Sequence, residues 1–255
     1  MDARPRGDDG LAFTNPRVQR LRRLLGRRSA RRDEGAFVVE GPTLLTEAIV
    51  AGWPVESQFH APGVEPLAGP PAFALGPGVA ERIAATETPT GLFAIVAVRP
   101  ADPSALTTAR FAVVVDGLAD PGNVGTILRS AEAAGADLVV VTPGSVDVLN
   151  PKVVRASAGA LFHVPVTTAT LADVAAAGLR LIGTSSHRGT PHDQADWSGR
   201  VAIVAGGEAR GLPDDAPVDS WVRIDHHGRA ESLNVAMATT VLCFAAATQR
   251  RRTRL

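Results

Sequence analysis

The feature that most constrains the fold is a set of short, almost continuously apolar segments in the second half of the chain. Unbroken apolar runs are typical of strands that are covered on both faces. Segments with helical spacing lie between several of them, and this alternation predicts an α/β domain with a mostly parallel sheet and helices on both faces. The predicted strands lie at residues 111–116, 138–142, 179–184, 201–205 and 221–224.

Composition excludes several classes of protein. With 255 residues, of which 45% are apolar and 20% charged, the chain can bury a core and is not disordered throughout. No stretch approaches the ~18 consecutive apolar residues of a membrane helix, and the N-terminal residues lack the apolar run of a signal peptide. The single cysteine, Cys243, excludes an intramolecular disulfide and a cysteine-based metal cluster. We therefore expect a soluble, cytoplasmic protein with neither a membrane nor a metal partner.

A smaller α/β region precedes the strand-rich half of the chain. We predict a disordered tail at residues 1–12, a first domain at 13–99, a linker at 100–109 and a second domain at 110–255. In the first domain the predicted elements are a helix at 15–32, a strand at 36–41, a helix at 43–51, a stretch rich in proline and glycine at 62–78, and a strand at 92–98.

The net charge of zero conceals a concentration of arginine. Lys152 is the only lysine, so 25 of the 26 basic residues are arginines. Eight arginines and no acidic residue lie between Arg17 and Arg32, and four more close the chain. Arginine offers a planar fork of donors that suits phosphate, and clustered positive charge indicates nucleic-acid binding. The alternative is a solvated helix face encoded by a GC-rich genome, and composition leaves both readings open.

A glycine-containing turn, residues 117–125, follows the predicted strand at 111–116 and leads into a helix. This arrangement places free backbone N–H groups near an anion. The turn lacks the G-x-G-x-x-G pattern of dinucleotide-binding proteins and the Gly-Lys-Ser/Thr of P-loops, which disfavours a nicotinamide-dependent dehydrogenase. Asn123 either caps the helix or serves a site. If the helix begins after Gly125, Arg129 projects from an early helical turn. It then either points towards the anion site at the turn or lies exposed on the surface.

Two further segments place polar residues after predicted strands. In residues 204–212, Glu208 would lie at the carboxyl end of a strand, the edge at which open α/β sheets bind ligands. Residues 224–236 contain His226 and His227, but adjacent histidines without cysteine or a helical His-x-x-x-His spacing are weak evidence for zinc.

The same segment leads into a long helix predicted at 232–249. Ser232 can cap this helix, whereas Asn234 is an unusual choice near the start of an apolar helix. Four apolar residues lie towards one side of the predicted helix, namely Leu233, Met237, Val241 and Phe244.

Together these segments resemble the motifs of the SpoU/TrmH family of RNA ribose 2′-O-methyltransferases. Residues 120–125 followed by Arg129 are similar to the first motif, residues 206–212 to the second and residues 231–235 to the third, in matching order and spacing. Residues 150–160 are similar to a segment that the family carries between its first and second motifs.

The N-terminal region, residues 15–98, resembles the ribosomal-protein-like substrate-binding domain of the ribosomal-RNA branch of the family. Residues 37–41 and 88–92 carry this similarity.

Two departures from the family pattern lie in the second motif and in the segment before the third. Gly207 and Ala209 stand where asparagine and glycine are usual, and residues 225–227, Asp-His-His, stand where Pro-Met usually follows the isoleucine.

The resemblance implies S-adenosyl-L-methionine as the cofactor, a C-terminal trefoil knot and a homodimer with a composite active site. A side chain at Gly206 is expected to collide with the bound nucleoside. The implied catalytic and substrate-handling residues are Asn123, Arg129, Glu208, Ser232 and Asn234. The implied cofactor-pocket residues are Gly206, Ile224, Leu233 and Thr184.

The implied reaction is methylation of a ribose 2′-hydroxyl in RNA, and the N-terminal domain favours ribosomal over transfer RNA. The family proposal makes the first-motif arginine a general base. Because a guanidinium keeps its proton, with a pKa above roughly 12, we instead expect Arg129 to orient a phosphate and stabilise the developing alkoxide. The alternatives are a transfer-RNA methyltransferase and a non-catalytic RNA-binding module with the same fold. Family-like residues at all five polar positions argue against the non-catalytic alternative.

Overall fold

The computed structural model describes residues 10–84, 88–207, 211–229 and 231–252, which divide into two units. The first unit comprises the described residues up to Pro100 together with an excursion from the second half of the chain, Leu149–Phe162. The second unit comprises Ala101–Val148 and the described residues from His163 onward. The predicted domains, 13–99 and 110–255, are each continuous in sequence, so they place residues 149–162 in the second domain and not in the first.

A four-stranded sheet forms the centre of the first unit. Its strand order is β1-β4-β2-β3, with β4 antiparallel to both β1 and β2. Helix α1 buries Val18, Leu21 and Leu24 in the same apolar cluster as Phe93 and Ile95 of β4. The elements are α1 (Pro16–Gly26), α2 (Arg28–Glu34), β1 (Ala36–Glu40), α3 (Pro42–Val50), β2 (Val55–His60), β3 (Ala72–Ala74), α4 (Val79–Ile83) and β4 (Leu92–Ala97).

The single helix predicted at 15–32 is wrong, because the chain breaks between α1 and α2. Helix α1 ends at Gly26, and Arg27 is extended, with φ −127° and ψ 118°. Gly26 favours the break because glycine is a poor helix former. The arginines on both sides of it make the segment look like one continuous helix in the sequence. Strand β2 was not predicted, since it contains the polar residue Gln58. That residue is fully buried, and its side-chain amide donates to Leu67 O at 2.6 Å and Pro70 O at 3.0 Å.

The arginines between Arg17 and Arg32 do not form one solvated face. Arg31 is only 4% exposed, and its Nη1 donates to the carbonyl oxygens of Leu24 at 2.7 Å and Leu25 at 3.3 Å. Those carbonyls belong to the last turn of α1, where helical partners are missing. Arg31 therefore holds α1 against α2, whereas its neighbour Arg32 is exposed.

We predict that Arg31→Ala lowers the free energy of unfolding by about 1–3 kcal/mol, because it leaves buried carbonyl groups without a donor. Urea unfolding followed by circular dichroism measures the change. Arg32→Ala is the matched control, and its effect should stay within about 0.5 kcal/mol. Equal losses in the two variants would contradict the structural role of Arg31.

A seven-stranded sheet forms the second unit, in the order β7-β6-β5-β10-β8-β11-β9. Every neighbouring pair is parallel, and all five predicted strands are present, so the predicted α/β fold is confirmed. From Ala101 the chain forms α5 (Ala105–Thr108), β5 (Phe111–Asp116), α6 (Pro121–Ala133), β6 (Leu138–Val141), α7 (Pro151–Ala156) in the excursion, β7 (Val166–Thr168), α8 (Leu171–Ala176), β8 (Arg180–Thr184), β9 (Thr190–Pro191), β10 (Val201–Gly206), β11 (Ser220–Arg223) and α9 (Val235–Arg252).

The excursion Leu149–Phe162 packs into the first unit through aromatic contacts and α7. The ring of Phe162 lies 5.4 Å from Trp53 and 6.3 Å from Phe37, measured between centroids. Trp53 Nε1 donates to the carbonyl oxygen of Phe162 at 3.1 Å. Arg155 of α7 lies 3.7 Å from the buried carboxylate of Glu40. Residues 150–160, which resemble the family's intermediate segment, therefore contribute to the packing of the first unit.

Helix α9 begins at Val235 rather than at 232, and three of its large apolar side chains, Met237, Val241 and Phe244, are exposed. Met237 is 63% exposed and Phe244 is 43% exposed. The buried side consists largely of small residues, among them Ala236, Cys243 and Ala246, which allow close packing against α6 and β10. Helical spacing predicted the helix but not the side that it buries. Among the described residues, no helix has both the length and the apolar character to cross a membrane.

Candidate active site

The carboxyl ends of the parallel strands bring predicted site residues to one edge of the second sheet. Gly206, the last residue of β10, pairs with Asp116, the last residue of β5. On the other side of β10, Thr184 ends β8 and pairs with Val222 of β11. Ile224 follows β11 directly. Gly206, Thr184 and Ile224 therefore share the edge at which open α/β sheets bind ligands.

The turn after β5 is fixed by two buried hydroxyl groups. Gly117 has a φ of +67°, and its N–H donates to Ser145 Oγ at 3.0 Å and Thr142 Oγ1 at 3.3 Å. Both hydroxyls in turn donate to the carbonyl oxygen of Val115. The first-motif turn is thus tied to the loop after β6. Sequence alone does not identify these hydroxyls, because Ser and Thr in a loop are too common to signal a role.

Helix α6 begins at Pro121 with Asp120 as its N-cap. Asp120 Oδ1 accepts the N–H of Asn123 at 2.8 Å, so Asn123 is not the capping residue. The side-chain oxygen of Asn123 instead accepts a hydrogen bond of 3.0 Å from Asn234 Nδ2. The first and third motifs, which are far apart in sequence, are therefore joined by a direct contact. Asp-Pro at a helix start is the signal that could have identified the cap.

Asn234 directly precedes α9 and caps its N-terminus. Its Oδ1 accepts the N–H groups of Ala236 at 2.9 Å and Met237 at 3.3 Å. Asparagine is among the preferred N-cap residues, which explains a residue that seemed unusual inside an apolar helix. Ser232, the cap that the sequence suggested, lies before the helix and is exposed. One amide thus performs two tasks, because its oxygen fixes the helix start and its nitrogen donates to Asn123.

Two helix N-termini consequently lie side by side. The Asn123–Asn234 contact joins the first turn of α6 to the cap of α9, and the hydroxyls of Ser130 and Thr240 lie 2.6 Å apart further along the same helices. The N-terminal ends of helices carry partial positive charge, and here Asp120 and Asn234 satisfy only some of the first N–H groups. The pair therefore provides a favourable place for an anionic group.

Arg129 lies on α6 and is exposed. Because α6 begins at Pro121 and not after Gly125, Arg129 falls about two turns beyond the start of the helix. Within the described ranges its guanidinium contacts none of the other predicted site residues. Leu233 is 38% exposed. Glu208 lies outside the described residues.

Gly206 is required by the protein's own turn. A Cβ at this position would lie 2.5 Å from Leu212 N and 2.6 Å from the carbonyl carbon of Gly211. The structure therefore explains this glycine by a collision with the protein's own backbone, and not by the expected collision with a bound nucleoside. Next to it, Gly207 O accepts the N–H of Gly211 at 2.8 Å.

The Asp-His-His loop after β11 is anchored by Arg223. Its Nε donates to Asp225 Oδ1 at 2.7 Å, its Nη1 donates to the carbonyl oxygen of Gly189, and its own carbonyl accepts the N–H of His192 at 2.9 Å. The loop that replaces the usual Pro-Met is thus tied to β9. Among the described residues, no group of three or more histidine, cysteine, aspartate or glutamate residues could hold a metal.

Cys243 is buried in α9, and burial raises the pKa of its thiol to about 12. A thiol with such a pKa is almost entirely protonated near neutral pH. Because the thiolate is the nucleophilic form, the residue is suited to packing rather than to chemistry.

Two family models match the chain. Residues 110–244 match the SpoU rRNA methylase family, and residues 15–94 match the MRM3-like substrate binding domain. The first match covers more than half of the chain. This chain belongs to the SpoU rRNA methylase family. The resemblance found in the three motifs is therefore confirmed.

Relatives of the SpoU family match the chain over most of its length. The 23S rRNA (guanosine(2553)-2′-O)-methyltransferase RlmP of Bacillus subtilis is 33% identical over 82% of this chain and 87% of its own length. The 23S rRNA (uridine(2479)-2′-O)-methyltransferase of Streptomyces viridochromogenes is 32% identical over 94% of this chain and 92% of its own.

Solved structures of SpoU-type enzymes share the fold. The crystal structure of AviRb from Streptomyces viridochromogenes in complex with AdoMet has a TM-score of 0.81 at 30% identity, covering 93% of this chain and 100% of that chain. The AdoMet-bound rRNA methyltransferase from Sinorhizobium meliloti has a TM-score of 0.82 at 30% identity, covering 95% and 97%. Both units of this SpoU protein therefore have counterparts in these enzymes.

We predict that Asn234→Ala lowers the free energy of unfolding by about 1 kcal/mol, because α9 loses its N-cap. Asn234→Asp should keep the stability within about 0.5 kcal/mol, since a carboxylate also caps a helix. Thermal unfolding measures both variants. Ser232→Ala is the control and should leave the stability unchanged. If Asn234→Asp loses as much as Asn234→Ala, helix capping is not the stabilising role of this residue.

Proposed function

We propose that this SpoU protein transfers a methyl group from S-adenosyl-L-methionine to a ribose 2′-hydroxyl in 23S ribosomal RNA. The observation that carries the proposal is the match, over nearly the whole chain, to methyltransferases named for this reaction and to structures with AdoMet bound. The substrate-binding region at 15–94 is matched as well, which supports ribosomal over transfer RNA. The cytoplasm, where ribosomal RNA is found, is the proposed location.

The sheet edge suits an adenosine cofactor. Gly117 leaves the backbone uncovered there, because a Cβ at this position would meet no protein atom within 4 Å. Peptide groups of Gly206, Ile224 and Leu233 offer both donors and acceptors to a purine. We assign these three residues, with the hydroxyl of Thr184, to the cofactor pocket.

S-adenosyl-L-methionine supplies an electrophilic methyl group when it is bound. The protein then has to align the ribose hydroxyl and stabilise the charge that develops on its oxygen. We assign the alignment to Asn123 and Asn234, whose mutual hydrogen bond fixes both amides. The two adjacent helix N-termini favour an RNA phosphate or the developing alkoxide.

We assign Arg129 to a phosphate or the alkoxide rather than to proton removal, because a guanidinium stays protonated. The planar fork of arginine binds two oxygens at once. Glu208 and Ser232 complete the proposed set on their match to the second and third motifs. They are the candidates to receive the hydroxyl proton or pass it to water.

The test of the function is a map of 2′-O-methyl groups in ribosomal RNA from cells with and without the gene. One position should lose its methyl group without the gene, and the purified full chain with S-adenosyl-L-methionine should restore it in vitro. Identical maps would refute the proposed reaction.

We predict that Arg129→Ala lowers turnover by about a hundredfold or more, as expected for the loss of a preorganised donor. Affinity for S-adenosyl-L-methionine, measured by calorimetry, should change much less. Arg129→Lys keeps the charge but lacks the fork and should remain impaired. Arg110→Ala is the control, because Arg110 is also exposed but precedes β5, at the opposite sheet edge. Full activity in Arg129→Ala would remove this residue from the chemistry.

We also propose that the SpoU protein is a homodimer with a composite active site. Exposed Met237, Val241 and Phe244 form an apolar stripe on α9, directly after the third motif, and apolar patches of this kind mark interfaces. Arg129 is exposed near the same helix pair and is available to a second copy. A trefoil knot, implied by the family resemblance, remains part of this proposal.

We predict that Met237→Glu combined with Phe244→Glu converts the dimer to a monomer in sedimentation experiments, because charges in an apolar interface are costly. Val50→Glu is the control, since Val50 is an exposed apolar residue of the first unit, at 73% exposure. A dimer that survives the double substitution would place the interface elsewhere.

A further inference from the structure

The first unit contains a cavity of about 280 Å³ that the proposed methyl transfer does not use. It lies between α1 and the sheet, within the region that matches a substrate-binding domain. Its walls combine aromatic rings with charged and hydroxyl groups. The residues that matter for its chemistry are Arg17, Arg20, Glu56, Ser57, Phe59 and Phe73.

Aromatic and guanidinium surfaces line one side of this cavity. The rings of Phe59 and Phe73 lie 5.7 Å apart, and the guanidinium carbon of Arg17 lies 4.5 Å from the centre of the Phe73 ring. Phe59 is buried, whereas Phe73 is only partly covered. Unpaired RNA bases stack on aromatic rings and on arginine planes of this kind. This side of the cavity therefore suits a flat, aromatic ligand.

The polar side of the cavity presents a donor beside an acceptor. Arg20 Nη1 lies 2.6 Å from Glu56 Oε2, and Arg20 Nε lies 2.7 Å from Glu34 Oε2. Among the described residues, Glu56 Oε1 has no partner. The Watson–Crick edge of guanine carries an acceptor oxygen next to two N–H donors. Arg20 beside Glu56 is the complement of that edge, because arginine only donates and an ionised carboxylate only accepts.

We propose that this cavity binds an unpaired guanine base of the RNA substrate. The base stacks on the guanidinium of Arg17, which itself lies over the Phe73 ring, and its N–H groups donate to Glu56. The proposal rests on the proposed function in that RNA is the ligand, but it concerns recognition and not methyl transfer. Other exposed arginines of the first unit, such as Arg27 and Arg28, are suited to phosphates and carry no base preference.

The experiment measures binding of the full chain to a short, fluorescently labelled uridine-tract RNA by anisotropy. One RNA carries a single central guanosine, and the others carry adenosine or an abasic ribose at that position. All of them share the same phosphates, so phosphate binding alone gives equal affinities. We expect the guanosine RNA to bind about fivefold more tightly or better.

Two carboxylate variants provide a matched comparison. Glu56→Gln and Glu34→Gln each remove one ion pair of Arg20, but only Glu56 lines the cavity. Glu56→Gln should abolish the preference for guanosine, because the amide presents a donor to the guanine N–H groups. Glu34→Gln should retain it. Both carboxylates are partly exposed, at 34% for Glu56 and 26% for Glu34, so both variants are expected to fold.

A second comparison tests the stacking surface. Arg17 and Arg22 both lie on α1 and both stack on a phenylalanine, Arg17 on Phe73 and Arg22 on Phe13. Only Arg17 lines the cavity. Arg17→Ala should weaken binding of the guanosine RNA about fivefold relative to the abasic RNA, whereas Arg22→Ala should weaken both RNAs equally.

Equal affinities for guanosine and abasic RNA in the unaltered protein would overturn the proposal. An equal preference for guanosine in Glu56→Gln and Glu34→Gln would also overturn it. Either outcome leaves the methylation map, and with it the proposed function, intact. Conversely, a guanosine preference that depends on Glu56, in a protein that methylates no ribosomal RNA, would refute the proposed function and keep the base-binding cavity.

Discussion

The parallel pairing of β10 with β5 is the interaction on which the candidate site depends. These strands are distant in sequence, yet they lie side by side from Val201 opposite Phe111 to Gly206 opposite Asp116. Because β10 is placed between β5 and β8, the loop after each of the three strands emerges at one edge. Glycine at 206 allows the chain to turn immediately, since any Cβ would collide with the backbone that follows.

The Asn123–Asn234 hydrogen bond completes the arrangement that the sheet begins. Asn234 cannot adopt another orientation without releasing the first N–H groups of α9. Capping the helix therefore also orients the amide nitrogen of Asn234 towards Asn123. Because the cap already fixes this side chain, the contact with Asn123 costs little further conformational entropy. Helix stability and site geometry depend on the same side chain. A residue of this kind is difficult to replace even by a chemically similar one.

The sequence predicted the second unit well, because unbroken apolar runs permit few alternatives to buried parallel strands. It predicted the first unit less well. Strand β2 contains a buried glutamine that satisfies its amide through the loop beside it, and no periodicity reveals such a contact. Arg31 and Arg32 are adjacent and identical in sequence, yet one is buried and the other exposed.

For the site, motif resemblance named the residues, while the structure shows the local contacts that Asn123 and Asn234 make. The capping role of Asp120 and the contacts of Ser145 and Thr142 were not identified from sequence, since they depend on hydrogen bonds that only the fold creates. The sequence also could not show which side of α9 is buried, because the large apolar residues on one side and the small residues on the other recur with the same helical period.

The residues proposed for recognition and those proposed for chemistry lie in different kinds of structural setting. Of the groups proposed for methyl transfer, Asn123 and Asn234 lie at helix N-termini, where their mutual hydrogen bond and the cap of α9 fix their positions. The groups assigned to RNA lie on α1 and β2, where partly exposed ion pairs can be exchanged for contacts with a ligand. Exposed ion pairs contribute little to stability, so they can change during evolution without loss of the fold. On the proposed assignments, the RNA-binding residues of this chain can therefore change without any change in the residues proposed for the reaction.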